Sequence, residues 1–150
     1  MLLSTLGLSA EKDVATLNWK GQTIHVTQYL PIEKKIELIQ DVLNNVASND
    51  SNFLNECAFQ LWSDLTILEY YTDIELDEDI DPQEMYDMII VSKLFAAVAN
   101  MIPVGELESV RVNLRAQVES YYKYKSSALG IMESISADYS QMNFDASEIQ

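Results

Sequence analysis

Between Val14 and Tyr29 apolar and polar residues alternate in twos, whereas beyond Pro31 the apolar positions recur in threes and fours. Ile24 and Val26 alternate with Thr23, His25 and Thr27, the signature of a half-buried strand. The run 14–19 precedes it, and Lys20-Gly21 sits between the two, with Gly21 able to supply the positive φ of a tight turn. A β-hairpin is therefore predicted over 14–29. A lone hairpin is marginal in water, so its apolar face must pack on helices or on another chain.

Four helices are expected after it. Pro31 suits a helix start, and Ile32, Ile36, Ile39 and Leu43 carry the period to about Val46. A polar break at 48–52 precedes a second helix from about Phe53 to Tyr71. Leu54, Ala58, Leu61, Leu65 and Leu68 form its stripe, widened by Phe59 and Trp62. Asp81-Pro82 then opens a third helix by capping, and this one runs to about Asn100. Pro103 starts the fourth and longest, to about Ser136, with Leu114, Val118, Tyr121, Lys125, Ala128, Met132 and Ile135 at near-heptad spacing. The expected fold is mainly α: a small N-terminal β-hairpin followed by a four-helix antiparallel bundle with a long last helix. Residues 1–12 read as an N-terminal arm, 13–137 as one helical domain and 138–150 as a polar tail. Leu2, Leu3, Leu6 and Leu8 make the arm apolar, and they are candidates for docking on a neighbouring subunit.

Charge narrows the choice of partners. The 150 residues carry a net charge of −15, and no Lys or Arg occurs from residue 36 to residue 92. Nine basic residues, scattered, cannot displace counterions from a phosphate backbone, which argues against direct nucleic-acid binding. The most apolar internal stretch, 94–104, is about half the roughly 20 residues a membrane span needs. No membrane partner is expected. The opening residues lack the basic n-region of a secretory signal. Asp73, Glu75, Asp77, Glu78, Asp79 and Asp81 crowd one loop and form a candidate partner-binding acidic patch. Asp77, Asp79 and Asp81 alternate as calcium ligands do, but Pro82 and Met88 occupy the positions where an EF-hand loop needs Gly and Glu. Arg111, Arg115, Lys123 and Lys125 hold four of the nine basic charges. They form a candidate basic patch that could meet the acidic one within a subunit or between subunits.

Catalytic chemistry finds no foothold. His25, the only histidine, lies on the polar face of a strand with no nucleophile signature nearby. Cys57, the only cysteine, reads as a small core residue on an apolar helix, and rules out an intrachain disulfide and a Cys-based zinc site. Phosphate-binding glycine motifs are absent. No catalytic residue, cofactor or metal is expected.

Tyr121-Tyr-Lys-Tyr-Lys-Ser-Ser-Ala-Leu-Gly-Ile-Met, the run from Ser136 to Gln150 and the Tyr29-Leu-Pro helix start together resemble small acidic proteins of tailed bacteriophages that infect Gram-positive bacteria. The likeness spans about half the chain and carries no functional residue across. It implies a virion component or assembly factor, found in the particle or in the host cytoplasm during assembly, whose partners are phage structural proteins or further copies of itself. It also implies a chain shortened or processed at Gln150. Two alternatives stand beside a structural role: a tail-assembly chaperone missing from the finished particle, and an acidic DNA mimic that inhibits a host nucleic-acid enzyme.

Overall fold

The computed structural model describes residues 1–10, 13–48 and 51–148, with side chains to Gln141. A 3-10 turn, Leu3–Leu6, is followed by β1 (Val14–Trp19), β2 (Gln22–Thr27), α1 (Ile32–Val46), α2 (Glu56–Tyr71), α3 (Pro82–Val91), α4 (Leu94–Met101), α5 (Val104–Lys125) and α6 (Ala128–Glu148). The molecule is mainly helical with an N-terminal antiparallel hairpin.

The hairpin follows its sequence pattern. Lys20 and Gly21 both take positive φ, 48° and 81°, so the two-residue turn has the twist that adjacent strands require. Leu17 lies opposite Ile24 and Ala15 opposite Val26. Ile24 and Val26 are buried, and Leu17 and Trp19 pack beside them. A single bridge from Val26 to Thr72 ties β2 to the end of α2.

α2 is the central element. Residues 63–68 are buried at six consecutive positions, as in a helix surrounded on all sides. It packs against α1, α3 and α4, while α5 packs on α1 and carries α6. Asn55 caps α2 by accepting from the Ala58 N–H at 3.1 Å, so the helix starts later than the apolar stripe suggested. Tyr122, buried on α5, donates to the Val46 carbonyl at 3.0 Å and satisfies the C-terminal turn of α1.

The fold departs from expectation in four places. Six helices stand where four were expected among the described residues, because two predicted helices are each divided. Lys93 adopts a left-handed conformation, φ 65°, and separates α3 from α4, a bend that turns Phe95 and Val98 into the core. The long last helix ends at Lys125. Ser126 returns its hydroxyl to the Tyr122 carbonyl at 2.8 Å, and Ser127 accepts from the Gly130 N–H at 3.2 Å, capping a new helix. The near-heptad seam is cut there: Leu114 and Val118 are buried, whereas Met132 and Ile135 are exposed. The boundary drawn at Asp138 is no structural break either, since α6 runs through it.

The fourth departure is in α1. Its buried positions are Leu38, Val42 and Val46, while Ile32 and Ile36 from the expected stripe are exposed. Apolar residues lie on two sides of this helix, and packing against α2 and α5 selects the stripe that begins at Leu38. Asn49 and Asp50, in the polar break, lie outside the described residues.

Candidate functional site

The acidic segment is partly structural. From Thr72 to Asp77 the side chains alternate: Ile74 and Leu76 turn toward the core, and the carboxylates between them face solvent. Asp73 spans back to the hairpin. Its Oδ1 accepts the His25 N–H at 3.0 Å, and its Oδ2 lies 2.7 Å from the His25 Nδ1. The side-chain bond to His25, followed by the backbone one, holds the Asp73 carboxyl below its ordinary range. Asp81 caps α3, accepting from the Gln83 N–H at 2.8 Å. Two of the six candidate carboxylates thus serve the fold, and Glu75, Asp77, Glu78 and Asp79 remain exposed for outside partners.

The basic residues of α5 do not meet this loop. Arg115 pairs with Glu56 of α2 and with Glu119, both at 3.1 Å, and stacks over the Phe59 ring. Arg111 lies 3.5 Å from Asp64 of α2 and over the Phe95 ring. Lys125 donates to the Ser51 carbonyl at 3.0 Å, and Lys123 is exposed. Among the described residues, then, the pairing of acidic and basic patches within one subunit is replaced by local pairs between α5 and α2.

Two buried charges were invisible in the sequence pattern. Glu106, in the first turn of α5, accepts the Leu30 N–H at 3.0 Å and the Tyr71 hydroxyl at 2.7 Å on Oε1, and Lys35 at 3.1 Å on Oε2. Its side chain is 9% exposed and that of Lys35 is 13% exposed. The Lys35 ammonium also sits 4.1 Å from the Tyr29 ring centroid. Burial pushes the Glu106 carboxyl up, but the bonds from Leu30, Tyr71 and Lys35 together outweigh it and hold the group below its usual range. The hub clamps the hairpin exit, α1, α2 and α5 together. Its only sequence signal is an acid in the first turn after Pro103, which complements a helix dipole whatever else it does.

Asp64 is the second. It lines a pocket of about 230 Å³ between α2 and α5 with Phe59, Gln60, Ser63, Arg111 and Leu114. Gln60 donates to Oδ2 at 3.2 Å, whereas Oδ1 and the Ser63 hydroxyl have no hydrogen-bond partner among the described residues. Burial raises the Asp64 carboxyl above its ordinary range, and the Gln60 bond and Arg111 charge only partly oppose this. Because the folded-state value is raised, the charge costs stability near neutral pH. Asp64→Asn is expected to raise the unfolding free energy at pH 7 by on the order of 1 kcal/mol. The gain should fade as pH falls through the raised folded value, readable from urea unfolding at several pH values.

Cys57 is exposed rather than buried in the core, because the first turn of α2 buries Phe59 and leaves Cys57 outward. A thiol reagent is expected to label the folded protein fully without denaturant. Protection until unfolding would contradict this placement.

No family model, curated protein or solved structure matches the chain.

Exposed apolar side chains gather in the N-terminal arm and on α6. Leu2, Leu3, Leu6 and Leu8 are all exposed, at 52–72% of their full area. On α6, Ile131, Met132, Ile135 and Tyr139 fall on one side of the helix and are exposed. Between α4 and α5 lies an open groove of about 800 Å³, lined by Ile102, Val104, Leu107, Val112 and Ala116, and by two arginines and two glutamates, Arg111, Arg115, Glu108 and Glu119. β1 pairs with β2 alone among the described residues, leaving its outer edge open.

Proposed function

We propose that this chain is a non-enzymatic structural protein of a bacteriophage particle, acting through contacts with other phage proteins or with further copies of itself. The observation that carries the reading is the apolar surface of two segments: the leucine arm, and the 131–139 stripe on α6. Monomeric proteins rarely spread that much apolar area over projecting segments, whereas subunits of an assembly use it. The open edge of β1 adds a place for strand addition, and the exposed carboxylates of 75–79 offer a face for basic protein surfaces. The resemblance to acidic phage proteins points the same way.

The groove between α4 and α5 favours a second reading, a tail-assembly chaperone that holds an apolar partner segment and leaves before maturation. Mass spectrometry of purified particles separates the two. A structural protein is present at many copies per particle. Particles that form normally and lack the chain would sink the structural reading and leave the chaperone. The DNA-mimic alternative is less favoured, because the carboxylates concentrate around one loop and two of them are bound to the fold.

A further inference from the structure

The small pocket between α2 and α5 is lined by two buried polar atoms that no other described residue satisfies, Asp64 Oδ1 and the Ser63 hydroxyl. The Asp64 side chain is 3% exposed, and Ser63 is 6% exposed. Buried polar groups are nearly always hydrogen-bonded, so two open neighbours in one pocket require an account. Gln60 ties down Oδ2 at 3.2 Å, whereas Arg111 approaches Oδ1 only to 3.5 Å, too far for a good hydrogen bond. The carboxylate therefore presents an open acceptor to the pocket, and leaving it open costs stability.

The pocket is larger than a single water requires. Its volume of about 230 Å³ compares with roughly 30 Å³ per molecule in liquid water. Phe59 and Leu114 supply apolar wall. Gln60, Arg111 and Arg115, also on its lining, are exposed, so the pocket is reached from solvent.

Its charges select the occupant. Asp64 Oδ1 needs a donor, and the Ser63 hydroxyl can accept or donate. Arg111 and Arg115 offer donors alone, and Arg115 is already held by Glu56 and Glu119. A cation would meet two guanidinium groups, and an anion would meet the Asp64 carboxylate. A neutral group with N–H and carbonyl side by side meets neither objection. A primary carboxamide has this arrangement, with two N–H donors next to one acceptor oxygen.

We propose that the pocket of Phe59, Gln60, Ser63, Asp64, Arg111 and Leu114 binds a primary carboxamide, its N–H groups on Asp64 and Ser63 and its oxygen on Arg111. The site is independent of the structural role proposed for the chain, and particle membership has no bearing on it.

NMR titration of the full-length chain at pH 7 with three isosteric probes, acetamide, acetate and acetamidinium, tests it. Acetamide should shift the backbone amide signals of residues 60–64 and 111–115 saturably, with a Kd on the order of millimolar for so small a ligand. Acetate and acetamidinium should bind at least tenfold more weakly. Asp64→Asn keeps the fold, and the Gln60 bond orients its amide so that a donor replaces the open acceptor. That variant should weaken acetamide binding at least tenfold, and Ser63→Ala about fivefold, the loss of one hydrogen bond. No saturable shift with acetamide would leave only water in the pocket and overturn the proposal. Tighter binding of either charged probe, or undiminished acetamide binding by Asp64→Asn, would overturn it as well. Two larger carboxamides assign the source: free L-glutamine, and N-acetyl-L-glutamine methylamide, which presents the same side chain as a partner protein would. Tighter binding of the first points to a free metabolite and of the second to a partner's side chain, and either supports the site. Failure of both would mean that the pocket is closed to a larger carboxamide, and would overturn the proposal even with acetamide bound.

Discussion

Glu106→Ala is expected to be among the most destabilising single substitutions in this chain, costing about 3–5 kcal/mol. Removing the carboxylate strips three donors at once: the Leu30 N–H, the Tyr71 hydroxyl and the Lys35 ammonium. Lys35 is left almost buried without a counter-charge, which is the largest part of the cost. Domains of this size are stable by about 5–15 kcal/mol, so the variant should be marginal at room temperature. Glu106→Gln keeps the acceptor for Leu30 and Tyr71 and loses only the charge, so it should cost less.

The pH dependence separates these terms. The folded-state value of Glu106 is lowered, so its contribution is complete above the unfolded carboxylate range and is lost as pH falls through the folded value. Wild type and Glu106→Gln should therefore converge in urea unfolding as the medium is acidified. Parallel stability curves with no convergence would show that the charge of Glu106 contributes nothing.

The second large effect is local. Gly130→Ala is expected to break the elbow between α5 and α6 while sparing the core. The added methyl group meets backbone atoms of Tyr124 and Lys125, which cannot rotate aside as a flexible side chain would. Overpacking of this kind costs about 1–3 kcal/mol, and the cheapest relief is to peel the first turn of α6 from α5. Hydrogen exchange should accelerate over residues 128–141 and stay unchanged in α1 and α2, whose buried side chains lie elsewhere. Unchanged exchange in α6 would mean that the elbow accommodates a side chain and that α6 is not aimed by it.

How much of this was legible in the sequence depended on whether the signal was local. The hairpin was legible because alternation in twos and a glycine at the turn both act over neighbouring residues. Helix starts were legible at Asp81-Pro82 and near Pro31 and Pro103, where proline restricts the backbone directly. The divisions at Lys93 and at Ser126-Ser127 were not. Neither contains Gly or Pro, and a lysine enters the left-handed region only because tertiary packing of Phe95 and Val98 repays it. The choice of buried stripe on α1 was undetermined for a related reason: with apolar residues on two sides, only the neighbours decide. The same holds for the surfaces. Exposed leucines in the arm could be read from the absence of periodicity. The Glu106 hub joins residues 35, 71 and 76 positions apart, and no spacing rule reaches across such distances. The basic residues of α5 were placed on the right helix, but their partners on α2 could not be chosen from 24 acids by sequence alone.

The elbow also sets a mechanical scale. α6 has 21 residues and is about 30 Å long at 1.5 Å per residue. Acting as a lever, it magnifies what happens at its root: a tilt of about 10° at Gly130 carries its far end through roughly 5 Å, on the same helical geometry. One glycine and two serines at the elbow therefore govern the pitch at which any attached molecule is held. Small changes there would alter curvature without touching the body of the protein.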